Sequence, residues 1–310
     1  MSKKTIVVHD GIFHCDELVA VALWLLANPG TVAEVVRSRN PEVIEAADLV
    51  FDVGGKYDGV KYFDHHQKNV PTHKGTIIKY AAAGMVWEAV KDQIVKQYGI
   101  SDCVGLASDR NNIKTFVRRI TENLILGIDA CDNGQLNNTG TIHQFTLSEI
   151  VKVMNQPNAY SLQQNEAFND LVKIVTAWLD KYFKNEAKAV IDTSVVMAAA
   201  EAAVDGVMLL PEFIPVWKEV VLNLPKRIKV ALVNAGNGEW SITSALKESG
   251  SMTPLCPAPA KLRGCQFADG ETLGGCLVVF VHKAGFTGKI KANSLEDAMN
   301  AARAWVNGSN

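Results

Sequence analysis

The first half of the chain alternates short apolar runs with longer mixed segments. Thr5 to His9 is β-branched and continuous, the pattern of a buried strand. Asp16 to Ala27 reads as a helix. Asp16 is placed to cap it, Glu17 suits the positive end of the helix dipole, and Asn28-Pro29-Gly30 stops it. Val32 to Arg37 is a second strand. Pro41 to Ala47 is a short helix with proline in its first turn, and Leu49 to Val53 is a third strand ended by Gly54-Gly55. This β-α-β-α-β order predicts an α/β fold with a largely parallel sheet flanked by helices. Such sheets place their ligands at the carboxyl ends of the strands.

Ala81 to Gln97 and Lys114 to Ile128 read as further helices, and Asn165 to about Ala189 as a long one. In the long helix Phe168, Leu171, Val172, Val175, Trp178, Leu179, Tyr182 and Phe183 follow i, i+3, i+4, i+7 spacing, as in a core or domain-bridging helix. Farther on, Ile228 to Asn234 and Trp240 to Ala245 pair around the turn Ala235-Gly236-Asn237-Gly238. Cys276 to Val281 is another strand. Ser294 to Val306 closes the chain as a helix, with Ser294 and Asp297 in capping-box spacing. No internal repeat is present. The pattern divides the chain into residues 1–160, an α/β domain, 161–205, a helical linker, and 206–310, a smaller α+β domain.

Composition narrows the class. Of 310 residues 48% are hydrophobic and 21% charged, which excludes a disordered or low-complexity chain. Lys and Arg number 31 against 33 Asp and Glu, a net charge of −2, so a uniformly basic surface is excluded while a local basic groove is not. The length exceeds one comfortable core. Lys3 and Lys4 precede only Ile6-Val7-Val8, too short for a secretory segment, and no run approaches a membrane span. With no Arg-rich transit peptide either, a cytoplasmic location with no membrane partner is expected. The six cysteines (15, 103, 131, 256, 265, 276) form no Cys-x-x-Cys pair, so free thiols in a reducing compartment are expected.

Four segments concentrate the chemistry: His9 to Glu17, Asp48 to Gly55, Phe63 to Gln67, and Gly127 to Gly134. Five of the seven histidines fall within the first 73 residues. Imidazole with carboxylate suits Mn²⁺, Fe²⁺ or Zn²⁺, whereas Mg²⁺ prefers oxygen alone. Two dications side by side, about 3.5–4 Å apart, need a bridging carboxylate. Asp52 ends a buried strand beside two glycines, where nothing local pairs its charge. A lone buried carboxylate costs several kcal/mol, and a metal would offset that. Each of the four segments is expected at the carboxyl edge of one sheet, which points jointly to a metal site.

Asp64-His65-His66 resembles the signature of the DHH phosphoesterases. The fuller set is similar to one branch, the melanocyte proliferating gene one family: His9 to Glu17, Val36 to Pro41, Asp52-Val53-Gly54-Gly55 with Tyr57-Asp58, Phe63 to Gln67, Asp129 to Gly134, and Val281 to Gly288. The resemblance spans nearly the whole chain. It implies a DHH-type catalytic domain, a smaller C-terminal substrate domain, metal-dependent phosphodiester hydrolysis, and 3′-to-5′ exonuclease action on RNA or short oligonucleotides.

Carried over residue by residue, it implies His9, His14, Asp16, Asp52, His65 and Asp129 as metal ligands, with Asp52 the bridge between two Mn²⁺ ions. Mg²⁺ or Zn²⁺ are the alternatives. Asp64 would orient the neighbouring imidazole and His66 would face the phosphate as donor or acid. Arg37 and Arg39 leave one strand two residues apart, on one face, as a candidate phosphate clamp. His282, Gly285, Gly288 and Lys289 form a candidate second jaw, glycines allowing close backbone approach and the cations adding charge. Phe286 is either a base-stacking residue or core. Cys15 and Cys131 sit inside the motifs as small apolar neighbours of the ligands.

Three departures from the family pattern stand in the sequence. The wider superfamily spaces its first motif His-x3-Asp-x-Asp, and here it is His9-x4-His14-x-Asp16. The branch's Lys-Leu-Ser-Ser-Ala-Gly is replaced by Lys79-Tyr80-Ala81-Ala82-Ala83-Gly84, removing two hydroxyls that would otherwise be available to substrate. The superfamily's glycine-rich C-terminal motif is only loosely present, in Gly274-Gly275 and the segment after Val281. Two other readings keep the fold: a phosphoesterase for pyrophosphate, a cyclic dinucleotide or a phosphorylated metabolite, and a non-catalytic binding module.

Overall fold

A computed structural model describes residues 3–100, 109–136, 146–225 and 227–309. Cys103 lies outside them, and the five described cysteines are all unpaired. The chain forms two compact units, Met1–Ala187 and Lys188–Asn310.

In the first unit, β1 (Lys4–Val8) leads into α1 (Cys15–Ala27), β2 (Ala33–Arg37), α2 (Pro41–Ala46), β3 (Leu49–Phe51) and β4 (Tyr62–Phe63). The four strands form one parallel sheet in the order β2-β1-β3-β4. The expected parallel α/β arrangement is therefore present. Ile6, Val7 and Val8 are fully buried, and their alternation serves both faces. Val7 joins Val50, Val53 and Tyr62 in a core with Ala47, against which Val43 and Ile44 of α2 pack.

The differences from the sequence pattern are local. The N-cap of α1 is His14, not Asp16, because Glu17 accepts a hydrogen bond from the His14 amide at 2.8 Å. Asp16 is thereby carried into the helix and fully buried. β4 is two residues long, too short to show a period. The remaining helices are α3 (Ala82–Gln97), α4 (Asp109–Ile120), α5 (Leu126–Asp132), α6 (Leu147–Val153) and α7 (Leu162–Glu201), the last belonging to the first unit up to Ala187 and to the second from Lys188. A π-helical turn, Thr121–Ile125, joins α4 to α5. One inserted residue rotates the downstream helix by about 100° about its axis. The segment from Asp129 to Asp132 is helical, within α5, and does not sit at a strand end.

The second unit holds β5 (Val207–Leu210), α8 (Trp217–Leu222), β6 (Val230–Gly236), β7 (Glu239–Ser244), β8 (Thr272–Leu273), β9 (Cys276–Val281), β10 (Thr287–Lys291) and α9 (Leu295–Asn307). Its mixed sheet has the order β5-β6-β7-β10-β9-β8, with β5 and β6 parallel and the other pairs antiparallel. Trp305 of α9 is fully buried in the core on one face, and its indole N–H donates to Cys256 O at 2.9 Å. Trp305→Ala is expected to cost about 3–5 kcal/mol, read by urea unfolding, since both a large cavity and an orphaned carbonyl result. A loss below about 1 kcal/mol would show that the face collapses around the gap.

Candidate metal centre

The parallel register lines up the strand ends. Val8 stands opposite Arg37 and Phe51 opposite Phe63. His9, Asp52 and Asp64 each come directly after a strand. Asp52 adopts φ +55°, a left-handed conformation that Asp tolerates better than most residues, and Gly54 and Gly55 continue the turn at φ +95° and +65°. That turn holds the Asp52 carboxylate at the head of the sheet, 2% exposed.

Two histidines converge on Asp52. His9 Nε2 lies 3.4 Å from Asp52 Oδ2 and 3.0 Å from Glu17 Oε1. His65 Nε2 lies 3.2 Å from Asp52 Oδ1 and 3.0 Å from Asp132 Oδ2. His66 Nδ1 is 2.8 Å from Asp64 Oδ1 and 3.4 Å from Asp52 Oδ1. Three groups have donor atoms close enough to share an ion: His9, His14, Glu17 and Asp52; Asp52, His65 and His66; and His14, Asp16 and Asp132. Asp52 joins the first two and His14 the first and third.

The polar atoms at this place are buried without hydrogen-bond partners: His9 Nε2, Asp16 Oδ1, Glu17 Oε2, Asp52 Oδ1 and His65 Nε2. Each unpaired buried carboxylate costs several kcal/mol. Nitrogens and oxygens that approach to 3.0–3.4 Å without well-directed hydrogen bonds are arranged as ligands around shared space. The residues fit a divalent ion, and the mixed imidazole–carboxylate set fits a transition ion better than Mg²⁺.

The chain's own charges show the same demand. Burial pushes the His9 imidazole down, but Asp52 and Glu17 outweigh it and raise it to about 10. His65 is likewise opposed by burial and raised to about 10 by Asp132 and Asp52. Asp52 is pushed up by burial yet held below the usual carboxylate range by His65 and His9. Asp16 is pushed well up by burial and by the neighbouring Asp52 and Glu17 charges. Asp64 is buried but held low by His66 and by the backbone amides of His66 and Gly55.

Asp129 stands apart from this group. Its Oδ2 meets His73 Nε2 at 2.7 Å and its Oδ1 accepts from the Gly84 amide at 3.0 Å. Asp132, one turn later on α5, is the acid brought to His65. Asp129 and Asp132 both lie in the sequence motif, and only their partners tell them apart. Glu17 and Asp132 are thus members that the sequence pattern does not single out. Glu17 has the signature of a helix-dipole residue, and an N-terminal acid gives no other signal.

The cleft over the group measures about 430 Å³ and includes Phe13, His66, Cys131, Ser148 and Lys152 in its wall. Arg37 does not reach it. Its guanidinium donates to Gly11 O at 2.7 Å and Asn165 Oδ1 at 3.2 Å, and it packs over Phe13 and Phe168. Arg37 therefore ties down the loop carrying His9 and His14. Arg39 pairs with Asp10 at 3.2 Å. Cys15 is buried, which pushes its thiol up to about 12, and it behaves as a small apolar side chain. Ala81 and Ala82 are fully buried, Ala81 as N-cap of α3, so hydroxyls there would serve the helix start rather than a substrate.

The C-terminal candidates lie in the second unit. Gly288 is buried, and a Cβ there would stand 3.0 Å from Trp305 and 2.9 Å from Phe280 O. Gly285, at φ +70°, closes the turn and accepts from Ala258 N at 2.8 Å. Lys289 pairs with Glu239 at 3.3 Å, and His282 Nδ1 accepts from Ala284 N. Packing and turn geometry account for both glycines. Phe286 is half-buried, its ring 4.3 Å from that of His282.

Comparison with known proteins covers the same residues. A family profile described as MYG1_exonuc, uncharacterised protein family UPF0160, matches residues 5–305. A MYG1 protein of Schizosaccharomyces pombe is 25% identical over 320 residues, 96% of each chain. The MYG1 exonuclease of Mus musculus is 27% identical over 341 residues, 99% of this chain and 86% of its own. The MYG1 exonuclease of Homo sapiens is 26% identical over 340 residues with the same coverage. Among the described residues no helix is long and apolar enough to cross a membrane.

Proposed function

The chain belongs to the MYG1 family, UPF0160, and from that premise we propose that it is a metal-dependent phosphodiesterase of DHH type, an exonuclease removing nucleotides 3′-to-5′ from RNA or short oligonucleotides. The observation that carries this reading is the convergence of five unpartnered buried donor atoms on one space. The exonuclease names of relatives support a nucleic-acid substrate. We take Mn²⁺ as the ion, with His9, His14, Glu17, Asp16, Asp52, His65 and Asp132 as the residues that would hold it, and a cytoplasmic location.

Bound divalent ions would supply an acidified water and positive charge at the non-bridging phosphate oxygens. The chain's own residues supply orientation and a proton. Asp52 sets the two histidines on either side of its carboxylate. Asp64 accepts from His66 Nδ1, which fixes the ring and leaves its other nitrogen free of that bond on a largely exposed side chain. That hydrogen bond raises His66 above its ordinary value, which favours the proton-donating form of a ring that lines the cleft. From there it donates to a phosphate oxygen or to the departing oxygen. Phe13 and Cys131 keep that part of the wall apolar.

The test is metal-stripped protein with end-labelled single-stranded RNA, to which Mn²⁺, Mg²⁺ or Zn²⁺ is returned. A Mn²⁺-dependent ladder shortening from the 3′ end is expected. Cleavage of pyrophosphate or dinucleotides alone would transfer the site to a small-molecule phosphoesterase. Two variants separate the acids of α5. Asp132→Asn should weaken Mn²⁺ binding at least about tenfold with stability nearly unchanged. Asp129→Asn should keep Mn²⁺ affinity but lose about 1–3 kcal/mol in urea unfolding, because the buried hydrogen bond between His73 and Asp129 is disrupted. The reverse pattern would return Asp129 to the ligand set.

A further inference from the structure

Three carboxylates, Asp16, Asp52 and Asp132, face the cleft together with one lysine, Lys152. Among the described residues Lys152 is the cleft's only Lys or Arg, and no carboxylate lies in salt-bridge contact with it. The arginines that might otherwise serve are committed elsewhere, Arg37 to Gly11 and Asn165, Arg39 to Asp10. A lysine left unpaired at the rim of an acidic pocket is placed for an anion that arrives from outside.

Its helix is anchored to the metal loop. The Thr146 amide donates to Glu149 at the start of α6, and Val151 is buried in the last turn. Asn155, three residues beyond Lys152, grips Phe13 by both backbone groups: the Phe13 amide donates to Asn155 Oδ1 at 2.9 Å, and Asn155 Nδ2 donates to Phe13 O at 3.0 Å. Gln164, fully buried, donates both to Asn155 Oδ1 and to Gly11 O. The backbone carrying Lys152 is thereby fixed relative to His14, while its side chain stays exposed.

We propose that Lys152 binds the phosphate adjoining the one cleaved, so that the cleft recognises a strand with at least two successive phosphates. This inference rests on the phosphodiesterase reading. It requires a polyanionic oligonucleotide as substrate, since a lone diester offers only the phosphate over the acidic cluster. Lysine suits the task as a compact, mobile charge that tolerates any base.

The experiment is a charge-deletion cycle with Mn²⁺-loaded protein. Wild type, Lys152→Gln and Lys152→Arg are each assayed on an RNA oligonucleotide with ordinary linkages and on one whose penultimate linkage is an uncharged methylphosphonate. Affinity for both is read by fluorescence anisotropy with Ca²⁺ in place of Mn²⁺. Lys152→Gln should lower kcat/KM about tenfold on the ordinary strand, with Lys152→Arg restoring most of it. The methylphosphonate should cost wild type about tenfold and Lys152→Gln less than about twofold, because the contact is already gone. Equal methylphosphonate penalties in wild type and Lys152→Gln would overturn the assignment, as would a Lys152→Gln protein with full kcat/KM. Wild type that binds the strand but cleaves neither form would sink the hydrolytic reading, and the anisotropy cycle would then decide Lys152 by the same comparison. Wild type that neither binds nor cleaves overturns both.

Discussion

Asp52→Asn is expected to lower Mn²⁺ affinity at least about 100-fold, about 3 kcal/mol, and to abolish metal-dependent hydrolysis. Asparagine is the right substitution because the position demands φ +55°, which Asn tolerates and alanine does not. The change removes charge with little change of shape. Asp52 is shared by two of the three ligand groups, so one substitution weakens both. Activity alone would not separate loss of metal from loss of fold, so the measurement pairs Mn²⁺ calorimetry with melting. At a Mn²⁺ concentration of about 100 times Kd, wild type should gain about 2.7 kcal/mol of stability, and Asp52→Asn almost none. A variant that still gains the full increment would remove Asp52 from the centre.

Much of this centre is legible in the sequence because strand ends are. The β-branched runs place β1 and β3, and a residue after such a run reaches the sheet's carboxyl edge with no further information. His9 and Asp52 emerge from that alone. Asp64, His65 and His66 are legible from their composition, although β4 is too short to carry a period. The helical members are harder. Glu17 has the same sequence neighbourhood whether it serves the helix dipole or an ion, and only burial at 0% exposure decides. Asp129 and Asp132 are three residues apart, on nearly one face of a helix, so a motif cannot choose between them. The partners make the choice: His73 and the Gly84 amide hold Asp129, while Asp132 meets His65. Arg37 and Arg39 share a strand, two residues apart, yet Gly11 O, Asn165 and Asp10 already occupy them as partners.

Asp129's different role has its own consequence at Gly84, the second large effect expected. Gly84 lies inside α3 in ordinary helical conformation, where alanine would normally be favoured by about 1 kcal/mol. A Cβ there would fall 1.8 Å from Asp129 Oδ2 and 2.8 Å from Tyr80 Cδ1. Neither neighbour yields cheaply. Asp129 is clamped between His73 and the Gly84 amide, and the Tyr80 ring packs 3.8 Å from that of His73. Gly84→Ala is therefore expected to destabilise the protein by more than about 3 kcal/mol, the cost of overpacking plus a broken buried pair. The cause is tested by a double-mutant cycle in urea. In an Asp129→Ala background the obstructing carboxylate is gone, so adding Gly84→Ala should cost less than about 1 kcal/mol and can approach the helical gain. A full penalty in both backgrounds would place the obstruction at Tyr80. A stable Gly84→Ala single variant would mean that Asp129 is free to move, and the assignment of Asp129 and His73 as a fixed buried pair would fall with it.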